Sequence, residues 1–310
     1  MERTTAGLRV PATPSLGGTA VRRWVRRLAT AAGLLALYAL PAGAAGATDA
    51  GPGRPHAAAS LYVSDYGDNR VVVLPAGGGR TTAPFEGLVR PTGLAWDADG
   101  RLYVSDTGNN RVVSLAPDGG GQSTVPTDGL SRPLGLAVGR GGDLFVADSF
   151  NDRVVKIAAS GGQTTVPTTG LLHPWGLALD AAGNLYVSDF VNDRVVRVAA
   201  DGSGQSTVPT AGLSQPTGLA LNPAGDLYIA DSGNNRVVRV AADGGRQTTV
   251  ATEDLSDPLG LALDGCGGLY IADGFHDRVV RVRETGGGQI TVLSTGLHTP
   301  TGLAFPPAGP

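Results

Sequence analysis

The phrase Leu-Tyr-Val-Ser-Asp, with small changes, occurs six times, ending at Asp65, Asp106, Asp148, Asp189, Asp231 and Asp273. A second phrase, Pro-x-Gly-Leu-Ala, starts at Pro91, Pro133, Pro174, Pro216, Pro258 and Pro300. Successive aspartates lie 41 or 42 residues apart. A fixed period of this length defines a repeat architecture, and the content of one period decides which. Each period holds four short apolar stretches rich in β-branched residues, separated by turns that carry many of the 48 glycines. Alternating stretches bounded by Gly and Asp read as strands. Four strands per period make a propeller blade, so the chain is predicted to be all-β, a six-bladed β-propeller over residues 60–305.

The order of the phrases predicts how the ring closes. The repeat region begins with a second strand, Leu61-Tyr62-Val63-Ser64-Asp65, and ends with a lone first strand, Pro300 to Phe305. Pairing the C-terminal strand with the N-terminal blade would close the ring and leave only short, protected sheet edges.

Ahead of the repeats, Arg22-Arg23-Trp24-Val25-Arg26-Arg27 precedes the apolar run Leu28 to Leu40 and small residues up to Ala47. This is the order of a secretory signal peptide. The run is shorter than the ~20 residues of a membrane span, although an uncleaved anchor is the other reading of the uncharged stretch. The chain therefore divides into a leader (1–47), a linker (48–59), the propeller (60–305) and a tail (306–310), and is expected to be exported, secreted or held at the cell envelope. The leader holds six of the 24 basic and one of the 27 acidic side chains, which leaves 18 and 26, a net charge of −8. Nucleic acid is a poor partner for such a domain. Membrane contact is expected only through the leader, and the protein is expected to be a monomer. Cys266 is the only cysteine, so no intramolecular disulfide can form; it reads as a small buried thiol.

The loop after each aspartate makes a family recognisable. Asp106-Thr107-Gly108-Asn109-Asn110-Arg111-Val112 and Asp231-Ser232-Gly233-Asn234-Asn235-Arg236-Val237, with Pro-x-Gly-Leu-Ala upstream, resemble the NHL repeat; Asp68 and His276 stand where Asn is usual. Arg153 to Ala159, Thr164 to Pro167, Thr169-Gly170-Leu171 and Pro174-Trp175-Gly176 resemble the extracellular sensor propeller of mycobacterial receptor serine/threonine kinases. That resemblance implies ligand binding or sensing at the cell envelope, of a cell-wall, glycan or envelope-protein ligand. The chain carries none of the Val-Ala-Ile-Lys, His-Arg-Asp or Asp-Phe-Gly elements of a kinase.

Symmetry sorts the residues. A site needs one constellation, so side chains present in every blade read as scaffold. These are the six aspartates with Arg70, Arg111, Arg153, Arg194, Arg236 and Arg278, each Asp expected to accept from its own loop backbone. The tyrosines Tyr62, Tyr103, Tyr186, Tyr228 and Tyr270, with Phe145, read as core. Function should lie where the copies differ. Tyr66, Phe150, Phe190 and Phe275 occupy loop tips and read as an exposed apolar or sugar-stacking surface. Around the phrase prolines, Arg90, Arg132, His173 and Trp175 come from consecutive repeats and suit an anionic or sugar-like ligand at a channel mouth. His276 joins this ligand-binding set.

The enzyme reading is a metal-dependent lyase or lactonase, as in streptogramin B lyases, whose catalysis needs a His and a metal. The residues that break the repeat and could serve are His173, His276, His298, Asp68, Glu253, Asp254 and Asp257, and no short-spaced ligand motif joins them. Those lyases carry a Trp-Phe-Thr-Glu type of strand in place of Leu-Tyr-Val-Ser-Asp. The expectation is therefore a binding module without catalytic residues or cofactor, with a divalent metal only if the lyase reading holds.

Overall fold

The computed structural model describes residues 59–117, 121–283 and 288–307. The leader and nearly all of the linker lie outside them. Among the described residues, no helix is long and apolar enough to cross a membrane. Six four-stranded antiparallel sheets follow one another, each with strands a to d running outward from a central axis. In blade 3 these are Pro133–Val138, Leu144–Asp148, Arg153–Ile157 and Gln163–Thr165. Blade 1 is composite: its strand a is Pro300–Ala304 from the far end of the chain, paired with Leu61–Asp65 as strand b. Blades 2 to 6 then follow in sequence order.

Blades stack face to face through apolar clusters. Between blades 3 and 4, Ala147 and Val154 of one sheet meet Leu177, Val187 and Val196 of the next. The valines of strands b and c are fully buried because both faces of each inner sheet are covered. The repeated tyrosines are core only in part. Tyr228 is buried, whereas Tyr62, Tyr103, Tyr186, Tyr270 and Phe145 are half-buried; the Tyr103 hydroxyl reaches Asp97 in the a–b turn.

Strand a explains its own glycine. In blade 3, Pro133 pairs with Asp148 and Leu136 with Val146, so Leu134 and Gly135 together oppose one residue: a β-bulge. A Cβ on Gly135 would sit 2.3 Å from the carbonyl oxygen of Trp175 in the next blade. The equivalent glycines 93, 176, 218, 260 and 302 crowd their neighbours the same way. Only glycine lets six inner strands converge this closely.

Cys266 departs from expectation. It is exposed, because it sits at the tip of an a–b turn between Gly265 and Gly267, where nothing packs over it.

Candidate functional site: the loop-bearing rim

Two rings of polar contacts position the face that carries the b–c loops. The first centres on the six aspartates, each fully buried. Each takes the Nε–H of the arginine five residues later at 2.6–2.9 Å. Its other oxygen accepts a backbone N–H at 2.7 Å, from Val89, Ser131, Leu172, Ser214, Ser256 or His298. That donor lies in the segment leading into strand a, not in the aspartate's own loop. The carboxylate thus fixes two loops at once. In blades 2 to 5 an asparagine three residues on adds a third donor. His276 takes that place in blade 6, with Nδ1 3.0 Å from Asp273. Burial pushes the Asp65 carboxyl up, against the His298 N–H and Arg70, and the charge of Asp68 adds to the push.

The second ring joins neighbouring blades. Asn69, Asn110, Asp152, Asp193, Asn235 and Asp277 all have positive φ, and so do the residues before the prolines: Arg90, Arg132, His173, Gln215, Asp257 and Thr299. Each side-chain oxygen of the first set accepts the backbone N–H of its counterpart in the second at 2.7–2.9 Å. Left-handed backbone at a non-glycine residue is held only where its surroundings fix it. Asn and Asp tolerate it best, which accounts for their place in every repeat. Further out, Gln122, Gln163, Gln205, Gln247 and Gln289 each make paired amide–backbone bonds to the loop 35 or 36 residues earlier. Arg80 replaces this glutamine in blade 1 and bonds the Thr295 carbonyl. Sequence reasoning missed this bridge, although a glutamine recurring at one repeat position was the available signal.

The loop-tip aromatics separate into two kinds. Tyr66 and Phe190 directly follow their aspartates and are buried, 5% exposed each. Phe150 and Phe275 stand one residue further on and are 36% and 50% exposed. In blades 2 to 6 the loop opens with a 3₁₀ turn, in which successive side chains point about 120° apart. The inward position packs on the residue after the phrase proline. Phe190 lies 5.3 Å from Trp175, ring to ring; Thr107 Oγ1 lies 2.7 Å from Thr92 Oγ1; Gly274 leaves room for Leu259. Tyr66, Phe190 and Trp175 therefore shape the mouth of the channel and are not an exposed stacking surface.

The candidates do assemble in part. Tyr66, Arg90, Arg132, Phe150, His173, Trp175 and Phe190 fall on an arc across blades 1 to 4. The Arg90 guanidinium lies 5.9 Å from the centre of the Tyr66 ring, Arg132 lies 4.8 Å from Phe150, and Phe150 lies 4.9 Å from His173. Among the described residues, neither Arg90 nor Arg132 joins an ion pair. Burial raises the Tyr66 hydroxyl above its usual range, and both arginines pull against that rise. Phe275 and His276 stand apart on blade 6.

The donors present do not fit a catalytic divalent metal. Around the channel mouth stand Thr92, Leu134, Trp175, Thr217, Leu259 and Thr301, none of them a carboxylate or imidazole. Among the described residues, no three His, Cys, Asp or Glu side chains come together as a ligand set. His276 and His298 are engaged with Asp273 and Asp68, and His173 lies against Phe150. The channel space between the inner strands is about 80 Å³, room for a few waters.

Fold and rim together define a six-bladed β-propeller whose variable surface is the b–c loop face. The chain belongs to the virginiamycin B lyase family, whose model matches residues 30–308. The Leu-Tyr-Val-Ser-Asp strand, expected to set the chain apart from such lyases, does not place it outside their family. Solved structures agree on the fold. A chain of a nidogen–laminin complex superposes with a TM-score of 0.69 at 22% identity, over 79% of this chain and 97% of that one. A streptogramin B lyase gives 0.64 at 17%, over 79% and 83%. A catalytically inactive virginiamycin B lyase from Staphylococcus aureus with quinupristin gives 0.59 at 15%, over 76% and 85%. No curated protein sequence matches the chain.

Proposed function

We propose that this protein is a non-catalytic, ligand-binding member of its family, exported to the cell envelope, which holds a glycan or envelope-protein ligand on the b–c loop face. The observation that carries this is the partly exposed row Arg132–Phe150–His173, flanked by Arg90 over Tyr66, on a ring where, among the described residues, no three His, Cys, Asp or Glu side chains gather. An aromatic face bracketed by guanidinium groups suits sugar rings bearing carboxylates or phosphates. The NHL-type loops and the likeness to extracellular sensor propellers support a sensing role.

The test uses purified protein and isolated cell-wall glycan in a sedimentation assay. Wild type is expected to co-sediment, and R132A/F150A to lose most of this binding while keeping the wild-type melting temperature. Undiminished binding by that variant moves the site off the arc. Incubation with quinupristin and a divalent metal is expected to leave quinupristin unchanged; its metal-dependent conversion would overturn the non-catalytic reading.

A further inference from the structure

The opposite face, formed by the a–b turns, carries a cavity of about 630 Å³ between blades 3, 4 and 5. Ligand sites typically span about 300–1,000 Å³. Its floor is apolar: Val138, Phe145, Leu179 and Leu221.

The cavity exists because blade 3 breaks the repeat twice. In blade 2 strand a is followed by Asp97, which accepts the Arg101 N–H at 2.8 Å and the Tyr103 hydroxyl at 3.2 Å. Blades 4 and 6 carry the same Asp and Tyr types, and blade 5 has Asn222 with Tyr228. Blade 3 has Gly139 and Phe145, so both the acid and the hydroxyl are gone. A Cβ on Gly139 would lie 3.7 Å from Phe145 and 3.8 Å from Leu179, in ordinary contact. The glycine is therefore not demanded by crowding; what it does is leave apolar space open.

The polar atoms at the rim define what would fill that space. One Asp143 oxygen accepts the Ala159 N–H at 3.0 Å and the other lies 2.6 Å from Lys156 Nζ. The Lys156 bond, then the Ala159 N–H, hold its carboxyl below the usual carboxylate range. Asp180 is likewise engaged by the Ala182 and Asn184 N–H groups and the Asn184 amide. The acids are thus satisfied within their own blades, Asp143 by strand c and the c–d turn and Asp180 by its own turn. The donors are not. Lys156 has further N–H bonds to give, and Arg140, exposed on the turn, is in no ion pair among the described residues. Lys156 Nζ also lies 5.8 Å from the centre of the Phe145 ring, so the donor and the apolar floor adjoin.

We infer that this cavity binds an amphipathic carboxylate, its apolar body on Phe145, Leu179 and Leu221 and its carboxylate on Lys156 and Arg140. The site is separate from the rim and does not depend on the function proposed for it.

The probes are 2-naphthoate and decanoate, each paired with the matching alcohol, titrated calorimetrically into the full chain. Saturable binding of the acids, about tenfold or more tighter than the alcohols, is expected. G139D/F145Y rebuilds the pair that blade 2 already carries, so the blade should fold, and it is expected to lose about tenfold or more in affinity for the acids. R140Q/K156Q, which leaves the cavity open, is expected to erase the preference for acid over alcohol. R132A/F150A should bind the acids as wild type does. Equal affinity for acid and alcohol, no saturation at millimolar concentration, or unchanged binding in both cavity variants would overturn the assignment.

Discussion

Replacing one buried aspartate should reveal how much of the rim depends on it. Asp148 is fully buried and accepts three hydrogen bonds: Ser131 N–H at 2.7 Å, Arg153 Nε at 2.7 Å and Asn151 Nδ2 at 2.8 Å. Bonds to a charged group contribute about 1.5–3 kcal/mol each, a gross total of about 5–9 kcal/mol. Part of this returns in Asp148→Ala, because the Arg153 side chain is 31% exposed and can be solvated. The Ser131 N–H, only partly exposed, recovers less. A net loss of about 3–5 kcal/mol is expected, in line with removal of one partner from a buried pair. Asp148→Asn keeps an acceptor but not two, and turns its amide toward Arg153; about 2 kcal/mol is expected. Urea unfolding followed by tryptophan fluorescence reads both, since Trp96 and Trp175 lie in the blades on either side. If Asp148→Ala stays within about 1 kcal/mol of wild type, the carboxylate does not organise the two loops and the scaffold reading fails.

Other consequences are as direct. Gly135→Ala drives a Cβ into the Trp175 backbone and is expected to cost more than about 4 kcal/mol, whereas Gly141→Ala, with open space around it, should unfold like wild type; similar urea midpoints for the two would refute the crowding argument. Gly274→Ser should cost about 1–3 kcal/mol by overpacking against Leu259, and the added Leu259→Thr, which copies Thr217 and Ser232, should restore most of it; a double variant less stable than either single one would refute that coupling. The hydrogen bond to Asp68, opposed by desolvation, raises the pKa of His298. A raised histidine stabilises fully below its unfolded value near 6.5 and less as pH climbs through the folded value. Wild type should therefore lose stability relative to His298→Gln between about pH 6 and 8, by no more than the ~1 kcal/mol of an exposed pair; the opposite slope would refute it.

The blades were legible because a strand repeat leaves the same marks each time: a proline and glycine where strand a bulges, an aspartate where strand b ends. Closure was legible from the order of the phrases. The rim was harder. Tyr66 and Phe150 look alike in a loop, yet one residue of offset from the aspartate decides between the channel mouth and solvent. Arg90, Arg132 and His173 read as variable loop residues, and nothing local announces a left-handed backbone, because the oxygen that holds it belongs to the preceding blade. The underside cavity was invisible for a related reason. It is made by two missing groups, at Gly139 and Phe145, and absence registers only against the other blades.

The composite blade sets an order of events. Strand b of blade 1, Leu61–Asp65, is made near the start of the chain, and its inner partner Pro300–Ala304 near the end. Until that last strand arrives, Val63 and its neighbours present an open, apolar edge of the kind that templates association between chains. The ring cannot close before residues 300–304 have been made. Blades 2 to 6 can form as they emerge, but the final seal waits for a contact spanning more than 200 residues, a slow step by the entropy of so long a loop. Lesions in the closing strand Pro300–Ala304 should thus appear first as aggregation of newly made chains, before any loss in the finished protein.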